Sequence, residues 1–359
     1  WISDYYMYPL GQVIKNALPG GLTTAEHNVL TITQQGCRFL EQGIMTTMEA
    51  TILNTLKTEP LSLKALEKKI RQPLPTAITL SLLDRGWVRQ EKKLRSGQTQ
   101  AKTEKFVFLT NKKPDEAKLS ETRKRIIDHL KNEHDVSLKE LKKVVPTAPQ
   151  IVKAMASSGQ VRVEQKQVYR DPFGEAVKRD TPPSLTIEQK QIVSQIHGAM
   201  GGKFAPFLLA GVTGSGKTEV YLQLALETLN KGLSVIILVP EIALISQMER
   251  RFRSRFGNQI AILHSGLSPG ERYDQWLKLA RGEITIAIGA RSAIFAPVKN
   301  IGLIVVDEEH DASYKQETTL HYNARDVALV RAKQHNAVVL LGSATPSIQS
   351  YHNAMTGKY

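Results

Sequence analysis

A glycine-rich segment from Gly211 to Thr218 has the spacing of a phosphate-binding loop. It reads G-V-T-G-S-G-K-T and matches G-x-x-x-x-G-K-[S/T] without departure. An apolar run precedes it and a helical pattern follows, so backbone N–H groups and a helix N-terminus can surround phosphate oxygens. Lys217 places a cation at the β- and γ-phosphates, and the Thr218 hydroxyl suits Mg²⁺. The predicted nucleotide-binding residues are Gly211, Val212, Thr213, Gly214, Ser215, Gly216, Lys217 and Thr218.

An acidic box, Asp-Glu-Glu-His, begins at Asp307, directly after the apolar run Leu303–Val306. A carboxylate at the carboxyl end of a strand can hold Mg²⁺ beside a phosphate-binding loop, and we assign this role to Asp307. The neighbouring Glu308 is suited to act as general base toward an attacking water. The alternative for such a box is a solvated acidic turn. The two segments together predict an ATP–Mg²⁺ site with Lys217, Asp307 and Glu308 as catalytic residues.

A third candidate loop, Gly342–Pro346, follows the last apolar run of the chain. Its small hydroxyl residues, Ser343 and Thr345, can respond to the presence or loss of a γ-phosphate. By itself this sequence is typical of an ordinary turn. It gains meaning only as the third loop, in order, at one edge of the predicted sheet.

Six apolar runs rich in β-branched residues follow residue 206, and helical patterns separate them. Near-continuous apolar runs suit strands buried on both faces of a parallel sheet. They predict a doubly wound α/β domain of the P-loop NTPase (RecA-like) class, with ligands at the carboxyl ends of the strands. The runs are Phe207–Ala210, Ser234–Val239, Ile260–Leu263, Ile284–Ile288, Leu303–Val306 and Ala337–Leu341.

Residues 46–172 contain an internal repeat of three helical patterns and a Gly-led strand. Ser62 and Ser137 precede the second helix of each copy, where a hydroxyl can cap free N–H groups. Three short helices with a hairpin wing describe a winged helix. We therefore predict two tandem winged-helix domains of α+β type, at 46–112 and 113–175.

The hairpin wings expected in the two copies each join a Gly-led strand to a returning strand. In the first copy Gly86–Arg89 pairs with Phe106–Leu109 across the Lys-rich loop Glu91–Lys105; in the second, Gly159–Val163 pairs with Val168–Tyr169. Basic wings can contact DNA phosphates, although winged helices also serve as protein-docking or spacer modules. The basic candidates for DNA contact are Lys92, Lys93, Arg95 and Lys105.

The remaining segments set the other domain boundaries. Residues 1–45, with a helix from Ser3 to Asn16, a short strand at Val29–Ile32 and a helix around Cys37, are too short for a core of their own and are interpreted as the tail of a preceding domain. Residues 176–184 contain consecutive prolines and predict a linker. Residues 185–359 form the ATP-binding domain.

The chain is basic, with 48 Lys and Arg against 34 Asp and Glu and a net charge of +14. Most of the excess lies between Arg38 and Asp171, which indicates a polyanion partner such as DNA, although solubility alone can explain it. One cysteine, Cys37, excludes an internal disulfide and a zinc cluster. No apolar stretch is long enough for a membrane span, and we expect a monomer in the reducing cytoplasm.

The order of the motifs resembles the first lobe of superfamily 2 helicases. The glycine-rich loop, Leu238–Ala243, Gly289–Ser292, the acidic box and Gly342–Pro346 follow one another as they do there. Two longer segments are similar to those of the bacterial replication-restart helicases: A-G-V-T-G-S-G-K-T-E-V-Y and D-E-E-H-D-A-S-Y-K-Q-E. The resemblance is highly specific over 185–359 and weaker over 1–175. It implies that residues 1–45 are the end of an upstream DNA-binding domain.

That resemblance implies roles for further residues. Gln189 lies in the entry motif before the loop and would meet the adenine edge, while His310 couples nucleotide state to motion with Ser343 and Thr345. The stretch from Tyr314 to Tyr322 would couple DNA arrival to hydrolysis, which agrees with aromatics interleaved with lysine. The implied DNA-binding residues are Pro240, Glu241, Arg291, Tyr314, Lys315 and Tyr322.

The resemblance implies an ATP-dependent 3′-to-5′ DNA helicase of replication restart that assembles the primosome at stalled or branched forks. Forked or single-stranded DNA, primosome proteins and single-strand-binding proteins are the implied partners. Zinc is expected only in a second lobe after residue 359, which would also supply an arginine finger, so this chain alone should hydrolyse ATP poorly. The alternatives are another superfamily 2 translocase, or a winged-helix regulator whose loop only senses nucleotide.

Overall fold

The architecture was read from a computed structural model of the chain. The structure describes residues 1–20, 22, 25–43, 45–95, 99, 101–111, 120–133, 135–318 and 320–359. It contains two compact units, one of Gly20–Gln98 and one of Trp1–Pro19 with Thr99–Tyr359, and each is described by itself. In the described residues no helix is long and apolar enough to cross a bilayer.

The N-terminal segment contains two short helices, α1 (Ile2–Tyr5) and α2 (Leu10–Ala17). The prediction of one continuous helix over this segment is wrong. Pro9 stands between the two helices as the N-cap of α2, because a proline lacks the N–H that an uninterrupted helix requires at this position. Tyr6 and Tyr8 of this segment pack against the core of the large sheet of the same unit.

The Gly20–Gln98 unit is a small α+β body whose two strands flank four helices. Its core contains Leu53, Leu66 and Trp87, and the Ser62 hydroxyl caps its third helix by accepting from the Ala65 N–H at 3.3 Å, as predicted. Its elements are β1 (Ala25–Ile32), α3 (Gln34–Gln42), α4 (Thr47–Thr58), α5 (Leu63–Ile70), α6 (Thr76–Asp84) and β2 (Val88–Arg95).

The second copy of the repeat belongs to the larger unit and also begins and ends with a strand, but it has three helices instead of four and an additional short strand. The Ser137 hydroxyl caps its second helix by accepting from the Glu140 N–H at 3.2 Å, which confirms that prediction. Its core contains Val107, Ile126 and Leu141. Its elements are β3 (Lys102–Leu109), α7 (Glu121–Asn132), β4 (Val136–Ser137), α8 (Leu138–Val144), α9 (Ala148–Ser157) and β5 (Val161–Val168).

The strands of both copies pair differently from the predicted hairpins. β2 pairs antiparallel with β1, which precedes the four helices of that unit, and β3 pairs antiparallel with β5 and β4. Each pair runs over eight residues per strand, whereas the predicted returning strands offered only two to four. The longer ladders satisfy more backbone groups, so in each copy the strand before the helices replaces the expected wing.

This pairing moves the boundary between the copies. The first copy takes β1 from the segment that we interpreted as the end of an upstream domain, and β3 belongs to the second copy. Residues 96–98 and 100 of the predicted Lys-rich loop, and the predicted boundary at 112 and 113, lie outside the described residues. The winged-helix interpretation itself stays a prediction.

The large sheet contains the six predicted strands, all parallel, in the order β6-β13-β10-β7-β9-β8. Helices cover both of its faces, which confirms the doubly wound α/β fold. Its elements are α10 (Ile187–Ala199), β6 (Ala205–Ala210), α11 (Lys217–Asn230), β7 (Ser234–Leu238), α12 (Ile242–Phe256), β8 (Ile260–Leu263), α13 (Pro269–Arg281), β9 (Ile286–Gly289), β10 (Ile301–Val306), β11 (Lys315–Gln316), β12 (Tyr322–Asn323), α14 (Ala324–His335), β13 (Val338–Ser343) and α15 (Ile348–Met355).

Alternate residues of each central strand enter different cores. Ile236 and Leu238 of β7 belong to one cluster, while Val235 and Ile237 belong to the other. All six residues of β10 are buried. Burial on both faces explains the unbroken apolar runs. Because all six strands are parallel, their carboxyl ends lie along one edge of the sheet.

Candidate nucleotide and nucleic-acid site

The glycine-rich loop connects β6 to α11, and Lys217 is the first residue of that helix. The Lys217 ammonium donates to the Gly211 carbonyl at 2.8 Å and lies 3.6 Å from a carboxylate oxygen of Glu308. Gly216 has φ +83°, in the left-handed region that favours glycine. The Lys217 ammonium therefore lies between the Gly211 carbonyl of its own loop and the acidic box.

Gln189 lies beside this loop. Its amide N–H donates to the Ser215 carbonyl at 3.0 Å, and its amide oxygen accepts from the Thr186 N–H at 3.0 Å in the capping box of α10. One side chain therefore ties the start of α10 to the phosphate-binding loop. Its contact with adenine remains a prediction.

Asp307 follows the end of β10 and accepts a hydrogen bond from the buried Tyr221 hydroxyl at 3.0 Å. Burial raises the pKa of the Asp307 carboxyl above its usual value and outweighs the opposing effects of this hydrogen bond and of the Lys217 charge. A side-chain carbon at Gly342 would overlap the Tyr221 hydroxyl, so glycine at that position is a steric requirement of this contact.

Glu308 has φ +44°, an uncommon conformation for a residue with a side chain. The residues on either side of it are tied into the sheet, because the Asp307 N–H donates to the Leu238 carbonyl and the Glu309 N–H donates to the Gly342 carbonyl, both at 3.0 Å. Backbone strain of this kind is found at functional sites, where surrounding contacts enforce it. Here it directs the Glu308 carboxylate toward Lys217.

The Glu308 carboxylate is also held from the third loop. It accepts from the Ala344 N–H at 3.2 Å, and the Ser343 hydroxyl lies 3.5 Å away. The His310 ring contacts both predicted coupling residues, with Nδ1 at 2.7 Å from the Ser343 hydroxyl and Nε2 at 3.3 Å from the Thr345 hydroxyl. The structure therefore brings Glu308 and the three predicted coupling residues into one hydrogen-bonded cluster.

A cavity of about 410 Å³ opens between the glycine-rich loop, the acidic box and α12. Thr218 and Asp307 both line it, so it is bordered by a hydroxyl and a carboxylate that can bind a cation. The cavity is lined by Thr213, Gly214, Gly216, Lys217, Thr218, Leu244, Gln247, Met248, Arg251, Asp307 and Glu308.

These donors fit Mg²⁺. It prefers oxygen ligands and is bound in proteins by one or two side chains together with waters and phosphate oxygens. The raised pKa of Asp307 fits as well, because a nearby cation would favour the ionised carboxylate that burial disfavours. In the described residues no group of three or more His, Cys, Asp or Glu side chains forms a separate metal site.

Glu309, for which the sequence predicts no role, is the carboxylate of the acidic box with the most hydrogen bonds from side chains and backbone N–H groups. Its side chain is fully buried and accepts from the Ser347 N–H at 2.7 Å and the Ser350 hydroxyl at 2.8 Å. Arg325 of α14 donates to it at 3.1 Å. Burial alone would raise the pKa of Glu309, but these hydrogen bonds and the arginine charge lower it. Glu309 therefore joins the acidic box to α14 and to the start of α15.

Four of the predicted DNA-contacting residues lie on neighbouring loops at the same sheet edge. Arg291 donates to the carbonyls of Ser313 and Lys315 at 3.2 and 3.1 Å, and the Ser313 hydroxyl donates to the Pro240 carbonyl at 3.0 Å. Glu241 and Lys315 are exposed. The loops after β7 and β9 are thus hydrogen-bonded to the segment that follows the acidic box.

The predicted DNA contacts of Tyr314 and Tyr322 are wrong for this structure. Their side chains are 1% and 5% exposed, so neither ring has a free face on which a base could stack. Burial raises the pKa of Tyr322 to about 12. The Tyr314 hydroxyl instead donates to the backbone carbonyl of Asp307 at 2.6 Å. An aromatic pattern interleaved with lysine indicates a surface site and a packed loop equally, and here it is a packed loop.

Tyr221 is the second contact of the site that sequence reasoning missed. It lies four residues after Lys217, one turn along α11, and this spacing places both side chains on the side of the helix that faces β10. That helical spacing was the available signal.

Comparisons with known proteins agree with this geometry. Residues 186–354 match the family described as DEAD/DEAH box helicase. This part of the chain is therefore similar to DEAD/DEAH box helicases. The helicase domain and its preceding residues are 40% identical to the replication restart protein PriA of Synechocystis over 366 aligned residues, which cover 98% of this chain and 43% of the relative.

PriA of Bacillus subtilis is 47% identical over 222 residues, covering 61% of this chain and 28% of the relative. The chain thus spans less than half the length of both of these curated relatives. Among solved structures, RecG bound to a three-way DNA junction is 30% identical with a TM-score of 0.39, over 49% of this chain and 23% of that one. The similarity to PriA begins before the helicase domain and includes the repeat region.

Proposed function

We propose that this chain is the DNA-dependent ATPase portion of a replication-restart helicase, which uses ATP hydrolysis to translocate 3′ to 5′ and separate strands at stalled or branched forks. Its similarity to PriA along 98% of its length supports this proposal. The observation that carries it is the short hydrogen-bonded path from the candidate DNA loops to Asp307.

In this mechanism the phosphate-binding loop holds the β- and γ-phosphates of ATP. The Lys217 ammonium neutralises phosphate charge, and Thr218 and Asp307 would hold Mg²⁺, which supplies further neutralisation of charge on the transferred phosphoryl group. Tyr221 orients the Asp307 carboxylate by donating to Oδ1 at 3.0 Å. Gln189 fixes the loop from the adenine side through its bond to the Ser215 carbonyl.

Glu308 acts as the general base in the same mechanism. Its carboxylate orients the attacking water and accepts its proton, and the Ala344 N–H at 3.2 Å keeps the carboxylate in place. His310, Ser343 and Thr345 respond to loss of the γ-phosphate because they share hydrogen bonds with this carboxylate and with one another.

DNA acts on the site through Tyr314. A strand that contacts the loops of Pro240, Glu241, Arg291 and Lys315 would shift the backbone that Arg291 holds at Ser313 and Lys315. Since Tyr314 lies between those carbonyls and donates to the carbonyl of Asp307, the displacement is transmitted to the acidic box. The repeat region would add DNA contacts of its own. Primosome proteins and single-strand-binding proteins would be the protein partners of the helicase.

The test of this proposal is DNA-stimulated hydrolysis by a Tyr314→Phe variant. The variant loses one hydrogen bond of about 1 kcal/mol, so we expect stimulation by single-stranded DNA to fall about fivefold while hydrolysis without DNA stays within twofold. Steady-state phosphate release by the protein of the complete reading frame measures both rates.

The matched control is Tyr351→Phe, because Tyr351 is 56% exposed on α15 and lies outside the path. It should leave both rates unchanged. Full DNA stimulation in Tyr314→Phe would contradict the proposed coupling. Absence of any stimulation by DNA in the unsubstituted protein would contradict the function itself.

A further inference from the structure

The cavity at the glycine-rich loop has a wall that no motif predicted. α12 contributes Leu244, Gln247, Met248 and Arg251 to it. These residues are spaced at i, i+3, i+4 and i+7, so they form one face of the helix. That face borders the same cavity as the loop and the acidic box. Among the residues that line this cavity, Arg251 and Lys217 are the two basic side chains.

We infer that Arg251 is a phosphate-binding residue of the nucleotide site that contacts the terminal phosphate of ATP from within the same domain. This rests on the proposed function and deepens it, because it assigns to this helix the discrimination between nucleoside triphosphate and diphosphate.

Two of the other three arginines of α12 are already paired, unlike Arg251. Arg253 donates to Glu249 at 2.9 Å, and Arg255 makes a two-pronged contact with Glu219 at 3.0 and 3.1 Å. Both are 6% exposed and their charges are matched by carboxylates. Within the described part of the chain Arg251 has no carboxylate partner, so its guanidinium keeps its donors available for an anion.

The same contacts hold the helix that presents Arg251, whose own side chain is exposed. Glu219 is the third residue of α11, two positions after Lys217, so the Arg255–Glu219 pair fixes α12 directly to the helix of the phosphate-binding loop. Met248, one turn from Arg251, is 5% exposed and anchors the helix in the core. A guanidinium on such a helix is pre-positioned, and its planar fork suits phosphate oxygens.

The location favours the terminal phosphate over the rest of the nucleotide. The cavity joins Arg251 to Lys217, Thr218, Asp307 and Glu308, which are the residues at the β- and γ-phosphates and at the attacking water. Gln189, the residue expected at the adenine edge, does not line it. Arg251 therefore meets the end of the nucleotide that ATP has and ADP lacks.

The test compares ATP and ADP binding, each with Mg²⁺, by isothermal titration of the chain and three variants. Arg251→Gln should weaken ATP binding about tenfold, the effect of losing a hydrogen bond to a charged group, and should change ADP binding less than twofold. Arg251→Lys should restore part of the affinity for ATP, since it keeps the charge without the fork.

Arg250→Gln is the matched control. It removes the same charge one residue away, from an exposed side chain that does not line the cavity, and it should leave both affinities within twofold. An Arg251→Gln variant that behaves as Arg250→Gln does, or that loses ATP and ADP affinity equally, overturns the inference while the nucleotide site stands. If the unsubstituted chain binds neither nucleotide, the proposed function fails as well.

Discussion

A Glu308→Gln variant should bind ATP normally and hydrolyse it about 10²–10⁴-fold more slowly than the unsubstituted protein, the usual contribution of a general base. Glutamine keeps the shape of the side chain and an oxygen that can accept from the Ala344 N–H, now at 3.2 Å. It cannot accept the proton of the attacking water. The variant therefore separates holding the nucleotide from cleaving it.

The measurement is the rate of phosphate release at saturating ATP and single-stranded DNA, with ATP affinity determined in parallel. Glu227→Gln serves as control, because Glu227 pairs with His197 at 3.2 Å on the surface at the far end of α11. A loss of less than about threefold in Glu308→Gln would remove Glu308 from the role of base. A large loss of ATP affinity would make it a binding residue instead.

Removing the Glu309 side chain should destabilise the helicase domain by about 3–5 kcal/mol, the range for breaking a buried ion pair by deleting one partner. In Glu309→Ala the Ser347 N–H and the Ser350 hydroxyl lose their acceptor, and Arg325 loses a contact at 3.1 Å. Urea denaturation followed by circular dichroism gives the free energy of unfolding.

Glu317→Ala is the contrasting variant. Glu317 also pairs with a basic residue, Lys315 at 2.9 Å, but its side chain is 71% exposed, so we expect a loss of less than about 1 kcal/mol. Similar losses in the two variants would show that the Glu309 network contributes little to stability.

The effect of Glu309→Ala should also depend on pH. The pKa of Glu309 is lowered in the folded protein, so its ionised form stabilises the fold above its ordinary pKa of 4.5. That contribution is lost as the pH falls through the lowered value. The difference in stability between the unsubstituted protein and Glu309→Ala should therefore be constant from pH 8 to about pH 5 and shrink below that. A difference that grows on acidification would contradict this assignment.

The large sheet could be predicted from sequence because its signals are local. Each central strand is an unbroken apolar run, and burial on both faces of a parallel sheet requires that pattern. The order of loops along the chain then places Lys217, Asp307 and Ser343 at one edge, where the structure has them. Residues that bind through a fixed backbone pattern, as the glycine-rich loop does, are visible in a sequence.

The strand pairing of the repeat could not be predicted in the same way. The alternation of apolar and polar residues and the glycines locate β2 and β3. The residues of a strand do not, however, determine which other strand pairs with it. The hairpin between them was the shortest loop closure and therefore the natural expectation. The structure instead contains two ladders of eight residue pairs each, β1 with β2 and β3 with β5. These ladders pair more backbone groups than the predicted hairpins would.

Long-range side-chain contacts could not be predicted either, because their two residues lie far apart in the sequence. Tyr221 and Asp307 are 86 positions apart in the chain, and Glu309 and Ser350 are 41 apart. Tyr314 and Tyr322 show the opposite failure. Their spacing is compatible with an exposed stacking surface and with a packed loop. The core that encloses them comes from β7, β10 and α14, which the local pattern does not contain.

The central claim is that ATP at this site drives separation of DNA strands, and unwinding of a forked duplex by the protein of the complete reading frame tests it most directly. The comparison is between the unsubstituted protein, Lys217→Ala, and Lys203→Ala, which removes an exposed lysine before β6. With ATP and Mg²⁺ the unsubstituted protein and Lys203→Ala should separate forks that carry a 3′-tailed loading strand, and Lys217→Ala should not. Unwinding by Lys217→Ala at the rate of the unsubstituted protein would contradict the account.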